Sequence, residues 1–144
     1  MVKEIKYTHV TDVHMTHKIG IIGYKNHAER LLNILDKKRD CCVEFIYHPT
    51  KKLKDVRGTN KISDLSSCDA ILISSPNQTH FNYLKKLEKF NGYIFCEKPP
   101  VVLRSELNSL RKFKIGKKRK ICFNFNFRFI KINSLIEEIV KDKH

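Results

Sequence analysis

The feature that most constrains this chain is a repeated rhythm, in which a short apolar run without polar alternation gives way to helical spacing and then to another apolar run. Lys18 opens the first run, and Ile19-Gly20-Ile21-Ile22 stops abruptly at Gly23. Runs of this length and character suit strands buried on both faces. Ala28, Leu31, Leu32 and Leu35 then recur at the i, i+3, i+4, i+7 spacing of one helical face, and the polar and basic cluster from Lys37 to Asp40 closes the element. Cys42 to Tyr47 supplies the next β-rich run. Strand, helix, strand in that order is a βαβ unit, whose ligand site lies beyond the carboxyl ends of the strands.

The rhythm continues downstream. Asp69 to Ser74 reads as a strand, Phe81, Leu84 and Leu87 as the buried face of a helix, and Tyr93 to Cys96 as the next strand. Leu103, Leu107 and Leu110 mark a further helix, and Ile121 to Phe127 a further strand. Ile132, Leu135, Ile136, Ile139 and Val140 lie on one face of an amphipathic helix that needs a cover. The expectation is an α/β chain, a doubly wound parallel sheet in a single domain. Residues 1–17 are expected to form an arm, 18–128 the sheet domain, and 129–144 a linking helix.

Composition bounds the partners. With 144 residues, 41% hydrophobic and 31% charged, the chain is long and apolar enough to fold as one globular domain. No apolar run approaches the roughly 20 residues of a membrane span, and the start lacks the apolar core of a signal peptide, so the cytoplasm is the expected location. Five cysteines without a C-x-x-C read as reduced core residues, not as a disulfide frame or zinc site. His9, His14 and His17 match no structural zinc spacing, so no metal is expected. The formal charge of +14 favours anionic partners. The bases are scattered, however, with Lys37-Lys38-Arg39 and the run from Lys117 to Lys120 at expected turns, so solvated turns are the preferred reading over a nucleic-acid surface.

The first strand-to-helix turn, Gly23-Tyr24-Lys25-Asn26-His27-Ala28, aligns with G-x-G-x-x-G/A in its first and last small residues. Gly23 makes the tight turn and Ala28 permits close helix packing, while free N–H groups at the helix start suit a pyrophosphate. Lys25 replaces the middle glycine. Either its ammonium swings outward to a phosphate, or its bulk blocks the usual pose. About 20 positions past Ala28, where an acid would accept hydrogen bonds from a ribose, stands His48, followed by Lys51 and Lys52. A neutral or cationic imidazole with nearby ammonium groups suits a 2′-phosphate, tilting any binding toward NADP; a solvated basic turn without ligand is the competing reading.

Two later turns are more specific. In Ser74-Ser75-Pro76-Asn77-Gln78-Thr79-His80, Asn77 suits a helix cap and Pro76 stiffens the approach, whereas nothing local requires His80. After the next strand, Glu97-Lys98-Pro99-Pro100 lands at the carboxyl edge of the sheet, where a lysine tuned by a carboxylate can hydrogen-bond a hydroxyl and help move a proton; the alternative is a surface ion pair.

Taken in order, the Ile-Gly-Ile-Ile-Gly opening, the S-P-N-x-x-H and E-K-P elements and Asn126-Phe127-Arg128-Phe129 resemble the Gfo/Idh/MocA family, named for glucose-fructose oxidoreductase, inositol dehydrogenase and the rhizopine-catabolism protein MocA. The resemblance spans about residues 18 to 140. It implies a Rossmann domain that binds NAD or NADP, with Pro76 and Asn77 near the nicotinamide end and Ser75 and His80 among the cofactor-binding residues. Lys98 would touch both cofactor and substrate as the catalytic residue, with Glu97 and Pro99 shaping its loop, and the Lys98-Pro99 bond is a candidate for the cis form. Arg128 and Phe129 match a pair that leads into the family's second, sheet-containing domain. That domain's catalytic histidine has no counterpart here, so the chain alone is expected to be catalytically incomplete. The alternative function is a non-catalytic scaffold that associates with itself, or with a partner covering the final helix.

Overall fold

The computed structural model describes residues 16–113 and 120–125; the arm before Thr16, Arg128 and the linking helix lie outside the described residues. The strands are β1 (His17–Ile22), β2 (Cys41–Tyr47), β3 (Gly58–Thr59), β4 (Ala70–Ile73), β5 (Tyr93–Glu97) and β6 (Lys120–Asn124). The helices are α1 (Asn26–Leu35), α2 (His80–Lys86) and α3 (Arg104–Lys112), joined by 3₁₀ turns at Ile62–Ser67 and Asn77–Thr79. All strand pairs are parallel, in the order β3-β2-β1-β4-β5-β6. The order reverses between β1 and β4, which opens a crevice at their carboxyl ends. The fold is the expected Rossmann-type doubly wound sheet.

Successive strand residues point to opposite faces, which explains the unbroken apolar runs. Ile21 and Leu72 face one side, where Ala28 and Leu32 of α1 cover them with Val43 and Ile46. Ile22, Ile71 and Ile73 face the other, against Tyr83 and Leu84 of α2. Each βα unit therefore buries one half of its strand's side chains.

Several expectations are corrected. β1 begins at His17, so the strand takes the last residue assigned to the arm. Tyr83 takes the inner place on α2, edge-on to Tyr47, while Phe81 is only partly buried and stacks on Phe113. On α3 only Leu110 packs against the core; Leu103 and Leu107 are exposed. Of the five free cysteines, Cys68 and Cys96 are buried, Cys41 is intermediate, and Cys42 and Cys122 are exposed. Burial pushes the Cys68 thiol up to about 11 and Cys96 to about 12, with nearby carboxylates adding to each. A thiolate is the reactive form. In the folded protein iodoacetamide is therefore expected to label Cys42 and Cys122 and to spare Cys68 and Cys96, as read by mass spectrometry; labelling of Cys96 at a comparable rate would contradict this packing.

Candidate functional site

Gly23 follows β1 with φ +108°, a backbone that side-chain-bearing residues rarely adopt. A Cβ there would lie 2.8 Å from the Ser74 carbonyl oxygen and 2.9 Å from Ser75 Cα. The turns after β1 and β4 thus touch through the missing side chain. No side chain caps the first turn of α1, where Lys25 occupies the N-cap position in extended conformation at φ −137°. The middle position of the turn consequently needs no glycine for its own backbone. Lys25, Asn26 and His27 are exposed, whereas Tyr24 packs against the core on the α1 side.

At the crevice, His27, Ser74, Ser75, Asn77, Glu97 and Lys98 line a cavity of about 320 Å³. Lys25 is not among them, so its side chain leaves this space open. The Ser74 hydroxyl is buried without a hydrogen-bond partner. Such an orphan is costly unless a ligand or water completes it. Sequence reading passed over Ser74, because a serine at a strand end carries no signal until its surroundings are known.

Asn77 does not cap a helix; it starts the 3₁₀ turn, with Pro76 before it and no side-chain cap bond. Thr79 secures the turn instead, its hydroxyl reaching the Ser75 hydroxyl and the Pro76 carbonyl, each at 2.7 Å. The Asn77 amide is thereby left available to the cavity. His80 is fully buried beneath it, bonded to the carbonyls of Ser75 and Pro99.

Glu97 and Lys98 do not form the expected pair. One Glu97 carboxylate oxygen accepts from His27 Nε2 at 2.8 Å and from Asn124 Nδ2 at 2.9 Å, which ties the starts of α1 and the ends of β5 and β6 together. Asn124 is a second residue missed by sequence reading, since its role depends on β6 lying beside β5. Lys98 is exposed and forms no ion pair among the described residues, and the Lys98-Pro99 peptide is cis, as expected.

His48 lies apart from this cavity, at the end of β2. Its Nδ1 accepts from the backbone N–H of Lys51 at 2.9 Å and of Thr50 at 3.3 Å. Burial, then the charges of Lys51 and Lys25, hold the imidazole below its ordinary value of 6.5. That direction favours the neutral ring, so the positive charge beside it is that of Lys51 and Lys25. The unfolded chain binds the extra proton first, so this group's contribution to stability is complete above about 6.5 and declines as pH falls toward the folded midpoint. An NMR titration is expected to place the His48 midpoint below 6.5; a midpoint above it would contradict the turn described.

Beyond His48, the β2–β3 connection lines a cavity of about 640 Å³ that carries Lys51, Lys52, Lys54 and Lys61. Its acids are engaged: Asp55 by Arg57, which also pairs with Asp36, and Asp64 by the Thr59 hydroxyl. Among the described residues no helix is long and apolar enough to cross a membrane.

Comparison with known proteins follows the same lines. Over 75 residues the chain is 29% identical to inositol 2-dehydrogenase from Rhizobium meliloti, covering 52% of this chain and 23% of that protein. Scyllo-inositol dehydrogenase from Lactobacillus casei, solved with bound NAD(H) and scyllo-inositol, superimposes with a TM-score of 0.72 at 18% identity, over 88% of this chain and 41% of that one. Myo-inositol 2-dehydrogenase from Lactobacillus plantarum gives 0.70 at 18% identity, over 88% and 41%. The chain spans well under half the length of these relatives. Residues 17–125, which hold the sheet, the Gly23 turn and the Lys98 loop, match the pattern of one family throughout. The chain belongs to the Gfo/Idh/MocA oxidoreductase family, with its NAD-binding Rossmann fold.

Proposed function

We propose that this chain is the dinucleotide-binding unit of an NAD(P)-dependent dehydrogenase acting on a polyol or sugar hydroxyl, and that it prefers NADP. The observation that carries the reading is the cavity at the crevice, where the orphaned Ser74 hydroxyl, the free Asn77 amide and the unpaired Lys98 ammonium meet beside the Gly23 turn. These residues fit a nicotinamide dinucleotide. The close approach of Gly23 to Ser74 shapes the turn, and the uncapped first turn of α1 leaves backbone donors for linking phosphates. Ser74 and Asn77 supply the polar partners that a carboxamide needs. When bound, the nicotinamide supplies reversible hydride transfer.

Lys98 is the proposed catalytic residue. As an ammonium group it donates to the substrate oxygen and holds the hydroxyl carbon toward the cavity; as the free amine it accepts the hydroxyl proton. Glu97, occupied by His27 and Asn124, shapes the loop without tuning Lys98 directly. The rest of the substrate's surroundings is assigned to a second unit of the kind the family resemblance implies. On its own the unit of residues 18–128 binds cofactor and turns over poorly, since hydride transfer requires substrate held against the nicotinamide.

The NADP preference rests on charge. The charges of Lys25 and Lys51 act on His48, and at the place where other dinucleotide sites put an acid for the ribose this chain has an imidazole, not a carboxylate that would repel a 2′-phosphate. Titrating the protein with NADPH and NADH, followed by reduced-cofactor fluorescence, tests both parts. The expected result is saturable binding of NADPH, about tenfold tighter than NADH, the counterpart of about 1.4 kcal/mol. Absence of binding by either cofactor at millimolar concentration would overturn the dinucleotide reading, and tighter NADH would overturn the preference.

A further inference from the structure

Among the described residues His80 is the one polar or charged side chain in the buried set, with 0% of its surface exposed. Its Nδ1 lies 2.8 Å from the Pro99 carbonyl oxygen and its Nε2 2.7 Å from that of Ser75. Carbonyl oxygens only accept, so the ring N–H donates to one of them, and the tautomer decides which. The neighbouring inward residues of α2, Tyr83 and Leu84, fill the core by packing. A side chain needed only for volume at position 80 would be apolar, because a buried polar ring costs free energy unless it is bonded. Here the two ring nitrogens meet backbone carbonyls on separate loops.

Those loops frame the cavity. Ser75 precedes Pro76 and Asn77 on the turn after β4, and Pro99 follows Lys98 on the turn after β5. Among the described residues no other side-chain hydrogen bond joins these two turns. Thr79 acts within the first of them, and Glu97 ties β5 to α1 and β6 instead.

We propose that His80 is a positioning residue, a brace that sets Lys98 opposite Asn77 for the nicotinamide half of the dinucleotide. The inference rests on the function proposed above and refines it: His80 touches neither cofactor nor substrate and acts through the two turns it joins. The two contacts of His80 go to the Ser75 and Pro99 turns and not to Lys25 or Lys51, the groups assigned to the adenine half, so the brace governs one end of the ligand only.

The test is a split-ligand titration of the full chain carrying His80→Gln, which keeps one nitrogen in place of two, with NADPH and with 2′,5′-ADP, which lacks the nicotinamide. The expected result is a fall of about tenfold in NADPH affinity, as for one lost hydrogen-bonded link, with 2′,5′-ADP unchanged within about twofold. Equal losses for both ligands would mark His80 as a general fold element, and unchanged NADPH binding would mark it as dispensable; either overturns the proposal. The unmutated chain labelled with ¹⁵N-histidine gives a second reading that no folding defect can obscure. Its His80 ring resonances are expected to shift with NADPH and to stay in place with 2′,5′-ADP. Resonances that ignore bound NADPH overturn the brace alone, whereas an unmutated chain that binds neither ligand overturns the dinucleotide reading and the brace with it.

Discussion

Replacing Gly23 with alanine is expected to destabilise the protein by about 3 kcal/mol, combining roughly 1–2 kcal/mol for a left-handed backbone with a similar amount for overpacking. The cause is local and specific. At φ +108° the new Cβ would press on the Ser74 carbonyl oxygen at 2.8 Å, and backbone on both sides must give way. Gly23 N–H also donates to the Tyr47 carbonyl at 3.1 Å, so the turn cannot swing outward without breaking that bond. Because Ser74, Ser75 and Asn77 sit on the displaced turn, NADPH affinity is expected to fall by more than about tenfold, the equivalent of 1.4 kcal/mol. Chemical denaturation together with an NADPH titration of the variant checks both effects. An alanine variant of full stability would show that the contact between the two turns is not tight.

The second large effect is on selectivity. Removing Lys25 and Lys51 together, as Lys25→Ala with Lys51→Ala, is expected to weaken NADPH by about 30-fold, at about 1 kcal/mol for each partly exposed ammonium–phosphate contact. NADH is expected to change by less than about threefold. The charges of both lysines act on His48 in the direction that lowers its titration. Raising the salt concentration is expected to narrow the gap between the two cofactors, because exposed charge contacts are screened. Equal weakening of NADPH and NADH would assign the lysines to the linking phosphates instead.

The sheet was legible because its signal is periodic and repeated. Ile21 and Ile22 point to opposite faces, so an unbroken apolar run is itself the mark of a strand covered on both sides. β3 gave no such signal: two residues, Gly58 and Thr59, pair with Ile46 and Tyr47 because β2 offers them an edge. Leu65, fully buried from within the polar stretch Ile62–Ser67, was equally silent, since a lone leucine has no period. On α2 the inner face includes Tyr83, which a three-residue spacing back from Leu87 through Leu84 skips in favour of Phe81.

The candidate site divides in the same way. Gly23, Asn77, His80 and Lys98 could be singled out because local chemistry does not explain them or because their order resembles a family. Ser74 and Asn124 could not, since one matters only as a buried hydroxyl without a partner and the other only through Glu97, 27 positions away. Long-range neighbours decide such roles. Even the Glu97-Lys98 pairing, plausible from adjacency, gives way to His27, 70 positions distant from Glu97 in the chain.

A map of backbone amide shifts on adding NADPH measures most directly whether a dinucleotide lies across the crevice between β1 and β4. The largest changes are expected at Gly23 to Ala28, at Ser74, Ser75 and Asn77, and at Lys98, with smaller ones near His48 and Lys51. Changes confined to the lysine-lined cavity from Thr50 to Lys61, with the Gly23 and Lys98 turns unmoved, would contradict the account and leave a basic surface that collects anions.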